Sequence, residues 1–236
     1  MRAALEAAVG YGLILAAIWS AFPARAWFGC LAVLWLIVVL LPEARAGSNF
    51  GLHLGGIRES LWAVALALLV FGIGVLCAAL LGTLHFHYVP RPYPPMFGYL
   101  VFSFVQEFVL QNLILTRALR LLGRPPLAIG AAGLLLSMAH LPNLLLVFAT
   151  LVWGLAACWL FFHYRNLYVV GFIHFLLGVA MAICVPASIQ HNMRVGRSYL
   201  AYRQAQYAPL RTAGIASSVP HSKDHTSPEP SRQASR

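Results

Sequence analysis

The chain has 236 residues, of which 61% are apolar and only 9% charged, and its mean hydropathy is +0.78. A soluble domain carries roughly a quarter charged residues, so this composition excludes one. The net charge of +10 comes with no nucleic-acid recognition motif. Its arginines fall between apolar stretches and along the tail, where positive-inside bias and lipid headgroups account for them; the expected partner is a lipid bilayer and not nucleic acid.

Taken in chain order, the apolar stretches predict an all-α fold, a polytopic transmembrane helical bundle of about seven to eight spans, in an integral, multi-pass cell-membrane protein. Seven spans can be drawn, over 4–22, 26–42, 60–84, 96–122, 126–141, 144–163 and 167–188. The first, with Arg2 ahead of it and Ala24-Arg25-Ala26 behind, resembles a signal peptide with its cleavage site. Glu6 in the leading region and a second span beginning at Trp27 predict instead a retained helix. A Gly-rich link over 43–59 and a Pro- and aromatic-rich link over 85–95 suit turns at a membrane interface. Three regions follow: N-terminal helices over 1–95, a core over 96–188, and a basic tail over 189–236 whose Ser/Pro/His-rich part, from about 205, is expected to be disordered. Cys30, Cys77, Cys158 and Cys184 all lie in apolar stretches without a CxxC pair, and read as small buried hydrophobes.

Leaving the tail aside, Arg2, Arg45, Arg58, Arg117, Arg120, Arg124 and Arg165 gather on one side of the seven spans, and only Arg25 and Arg91 on the other. This bias places the N-terminus in the cytoplasm. Seven crossings then send the basic tail to the outer side, against the same rule.

Glu107 is the sole acidic residue between Glu59 and Asp224, and it sits inside the fourth apolar stretch. A carboxylate in hydrocarbon costs several kcal/mol unless protonated, paired or hydrated, which marks it as a functional candidate. Gln111 lies one helical turn beyond it and Ser103 one turn before, so a polar stripe faces the bundle interior, where both could hydrogen-bond the acid. Glutamines in such a stripe also serve as polar contacts between helices. His140 falls near the end of the fifth span, ahead of Pro142 and Asn143, where an imidazole can cap a helix. His174 falls two turns inside the last span. If the three residues converge, a Glu–His pair can hold and deprotonate a water while the second imidazole donates to a developing oxyanion. The same trio could ligate zinc with an open position, although no HExxH occurs.

Residues 100–180 resemble the CPBP intramembrane proteases (CAAX-prenyl protease and bacteriocin-processing type, also called Abi). That family shows Glu-Glu-x-x-x-Arg, then Phe-x-x-x-His, then His-x-x-x-Asn/Asp on successive helices. Gln106-Glu107-x-x-x-Gln111 falls on the first motif, Leu136-x-x-x-His140 on the second and His174-x-x-x-Gly178 on the third. The resemblance implies hydrolysis of a peptide bond in a membrane-associated protein or peptide, with Glu107 and His140 activating water and His174 at the oxyanion site. Gln106 and Gln111 stand where the family has an acid and an arginine, and Gly178 where it has Asn or Asp. Asn143 is a conceivable substitute for the last. These departures open a second reading, a catalytically inactive pseudoprotease that binds or scaffolds in the membrane; a third is a proton-coupled transporter with Glu107 as carrier acid.

Overall fold

A computed structural model describes residues 1–84 and 95–206, apart from the side chain of Pro95. It divides into two units, Met1–Tyr202 and Arg203–Arg236. In the second unit only 203–206, which are helical, are described. The expected disordered tail beyond 206 and most of the link over 85–95 lie outside the described residues.

Among the described residues of the first unit there are helices and no strands. Six helices are long and apolar enough to cross a membrane, and a seventh apolar helix is shorter. In order these are α1 (Arg2–Trp19), α2 (Ala24–Arg45), α3 (Ile57–Leu80), α4 (Pro95–Val109), which continues through a π-helical segment (Leu110–Leu115) into α5 (Thr116–Leu122), the shorter α6 (Pro125–Met138), α7 (Leu144–Tyr164) and α8 (Leu167–Cys184). A one-turn α9 (Ala187–Gln190) follows, and 196–202 is again helical. The chain is a multi-pass integral membrane protein, as its apolar stretches imply. The large apolar side chains left on the outside, such as Leu66, Leu69, Ile73 and Leu76 of α3, meet lipid and not water.

The sequence pattern places helix ends to within a few residues. α3 begins at Ile57, not 60, because Gly56 takes φ +75 and ends the preceding loop there. α6 stops at Met138, three residues short of the expected span, and 139–142 form turns that lead to Asn143, the N-cap of α7. The Asn143 side chain accepts from the Leu146 N–H at 3.4 Å, and Asn166 does the same for α8 through the Val169 N–H at 3.0 Å.

Small residues bring the helices together. A Cβ on Gly154 would lie 3.0 Å from the Gly133 Cα, so α6 and α7 cross with their backbones nearly touching. Gly10 plays the same part for α1, whose backbone there abuts Leu113 of the π segment and Trp35 of α2. Residues after α8 return to the far end of α1: the Gly196 N–H donates to the Leu141 carbonyl at 2.8 Å, and a Cβ on Gly196 would strike Ile18. Residue 196 and Met1 therefore lie at opposite ends of α1, as seven crossings require.

Candidate functional site

The fourth span is where the polar residues concentrate, and its backbone is not regular. Over Leu110–Leu115 the hydrogen-bond ladder widens from i→i−4 to i→i−5, an arrangement often found at functional sites. Two side chains five residues on hold carbonyls of this segment. Thr116 Oγ1 donates to the Gln111 carbonyl at 2.9 Å, and Arg117 Nη1 to the Asn112 carbonyl at 2.7 Å.

Just before the π segment, Glu107 is 0% exposed. Its Oε1 accepts from Trp153 Nε1 of α7 at 2.8 Å and from His174 Nδ1 of α8 at 2.7 Å; its Oε2 accepts from Gln111 Nε2 at 2.9 Å. The carboxylate is thus held by three donors from three elements, which compensates for its removal from water. Cys158, fully buried on α7, completes the wall beside Gln111 and Glu107. The expected contact from Ser103 is absent: its hydroxyl donates to the Tyr99 carbonyl at 2.9 Å, the usual fate of a serine in a membrane helix.

His140 lies elsewhere. Its Nδ1 donates to the Leu136 carbonyl at 2.9 Å, capping the end of α6 and leaving Nε2 as the free ring nitrogen. With Gln106 it lines an apolar cleft of about 510 Å³ between α1, α2, α4 and the end of α6, whose other walls include Tyr11, Ile18, Gly29 and Val105. His140 and His174 are within electrostatic reach of each other, but no hydrogen bond joins His140 to Glu107. Adjacent residues of one helix, Gln106 and Glu107, therefore face different surroundings: the first the cleft and the second the buried cluster. The Gln106 Oε1 atom is buried without a hydrogen-bond partner.

The supporting positions divide in the same way. Gln111 is in the cluster. Asn143 is in neither place: its Nδ2 donates to the Gln190 and Arg194 carbonyls at 3.0 and 3.2 Å, tying the α6–α7 turn to the segment after α8. Gly178 faces Tyr99, whose hydroxyl fills the space that a side chain there would need. Among the described residues no three His, Cys, Asp or Glu side chains gather closely enough to hold a metal ion, and both Glu107 oxygens already accept hydrogen bonds.

The sequence pattern singled out Glu107, Gln111 and His174 and missed Trp153, Tyr99 and Arg117. A tryptophan in an apolar span gives no sign that its N–H meets a carboxylate. Arg117 reads as a charge between spans, yet it is fully buried. Its Nε donates to Glu6 at 3.0 Å, and its Nη1 and Nη2 donate to Glu43 at 3.2 and 3.1 Å. No spacing in the sequence marks it, because its contact with residue 112 is to a backbone carbonyl and its acids come from two distant helices.

In comparison with known proteins, residues 92–180 match the model of a family described as type II CAAX prenyl endopeptidase Rce1-like. No curated protein and no solved structure matches the chain.

Proposed function

We propose that residues 92–180 form an Rce1-like, CPBP-type scaffold which binds a membrane-associated peptide in the apolar cleft and does not cut it. The observation that carries this reading is the division between Gln106 and Glu107. The residue that shares the cleft with His140 is an amide, which cannot take a proton from water at neutral pH. The nearby carboxylate is fully buried and occupied by Trp153, His174 and Gln111. A catalytic base must reach the proton it abstracts, directly or through one water; with three of about four acceptor sites taken, the buried Glu107 is engaged chiefly as a structural acceptor.

The cleft supplies the binding. Its volume of about 510 Å³ lies within the range of small-molecule pockets, and its lining suits an apolar chain or side-chain group presented from the bilayer. Synthetic peptides with and without a C-terminal prenyl group, as the matched family's description suggests, are the first ligands to try. Gly29 faces the cleft, and a Cβ there meets nothing within 4 Å, so Gly29→Phe directs a ring at the cleft from a position open at its Cβ. In detergent, a bound peptide should raise the unfolding temperature of the parent, remain intact by mass spectrometry, and give no shift with Gly29→Phe. Equal shifts in both proteins would remove the cleft as the binding site. Cleavage that depends on Glu107 and His140 would instead establish a peptidase, the reading in which the resemblance has those two activating water and His174 at the oxyanion site.

A further inference from the structure

The π segment and the division between Gln106 and Glu107 are linked by helix geometry. A π segment of this kind holds one residue more than an α-helix of the same length, and each residue turns an α-helix by about 100°. With α5 held in place, closing Leu110–Leu115 into regular α-helix would rotate α4 by one residue position. Every α4 residue would then take the angular position now held by its predecessor. Glu107 would move to where Gln106 now faces the cleft, near His140, and would leave Trp153 and His174 behind.

We propose that Arg117 is a positioning residue which, with Thr116, holds the π segment open and so decides that Gln106, and not Glu107, faces the cleft. The Gln111 carbonyl accepts both the backbone N–H and the Oγ1–H of Thr116, and the Asn112 carbonyl accepts Arg117 Nη1, so both side chains bond carbonyls five residues back and favour the wider turn. Arg117 is itself held from outside the helix, by Glu6 of α1 and Glu43 of α2. Its guanidinium therefore fixes the segment against two other helices and not merely within its own. Removing it leaves neither acid alone, because Glu6 also pairs with Arg2 and Glu43 with Arg120. The arginine can thus be replaced without leaving an unpaired buried carboxylate.

The register can be read by reaction of the membrane-embedded Glu107 with a hydrophobic carbodiimide, mapped as the N-acylurea adduct by peptide mass spectrometry. This readout does not depend on cleavage or ligand binding, so it stands or falls separately from the proposed function. In the parent Glu107 should stay unmodified. In Arg117→Met, and to a smaller extent in Thr116→Val, it should become modified by at least tenfold while the protein still unfolds cooperatively. Deleting Ile114 from the π segment removes the extra residue but keeps α4 in its present register. In the Arg117→Met background this deletion should restore protection, which general loosening of the bundle would not permit. If Glu107 stays protected in folded Arg117→Met and Thr116→Val, or if the deletion leaves it equally modified, the proposal is overturned. Should Arg117→Met fail to fold, Thr116→Val with and without the deletion gives the same decision.

Discussion

Glu107 shows what an acid needs in order to persist among apolar helices. Hydrogen bonds to charged groups contribute about 1.5–3 kcal/mol each, and a buried acceptor that loses its donor incurs the cost of desolvation. Trp153→Phe keeps most of the ring's packing and removes the N–H that reaches Oε1. It should destabilise the protein by about 1–3 kcal/mol, measured by thermal or denaturant unfolding in detergent; an unchanged midpoint would show that the bond contributes nothing. Gly178 offers a second test at this scale. An Asn there, as in the resembled family, would be driven into the Tyr99 hydroxyl, and overpacking of this kind costs about 1–3 kcal/mol. Gly178→Asn should therefore be destabilised, and Tyr99→Ala in the same chain should recover part of the loss. The polar residues of this site were legible because each stands out in an apolar run. Their partners were not, because Trp153 and Tyr99 look the same in sequence whether they face lipid or a carboxylate.

At the scale of elements, composition and length identified every described membrane helix, since an apolar run long enough to cross a bilayer has few alternatives. The interior of the fourth span was not legible. The spacing of Ser103, Glu107 and Gln111 suits a regular helix, and nothing local to 110–115 demands the wider turn that the structure shows. What maintains it comes from Thr116 and Arg117 and, through Arg117, from two distant helices. The contact of α6 with α7 is likewise invisible until the helices are placed side by side. There, Gly154 leaves no room for a side chain against Gly133. Gly154→Leu should force the pair apart and cost about 3 kcal/mol or more in unfolding stability, whereas Gly130→Leu, at a position where a Cβ meets nothing within 4 Å, should leave it unchanged.

For the first unit as a whole, the arginine count treated Arg117 as one more positive charge at a membrane face. In the structure it is the centre of an ion-pair network in which Glu6 and Glu43 join α1 and α2 to α5, with Arg2 and Arg120 at its rim. Replacing both acids, as in Glu6→Leu with Glu43→Leu, would strand a fully buried guanidinium. A buried charge deprived of its partners costs about 3–5 kcal/mol, so the double variant should lose most of its folded yield while each single variant retains it. The network also explains why the N-terminal helices matter to a site built from later ones: they hold the arginine that holds the π segment.

Whether Glu107 is a buried acceptor or a base decides between binding and cleavage. The direct measurement is incubation of the detergent-purified parent, Glu107→Gln and His140→Ala with a proteome-derived peptide mixture, with products read by mass spectrometry and the folding of each protein checked alongside. If Glu107 is a buried acceptor, no products should depend on either residue, and Glu107→Gln should have a lowered unfolding midpoint. Products made by the parent and missing from both well-folded variants would contradict that reading and establish an intramembrane peptidase.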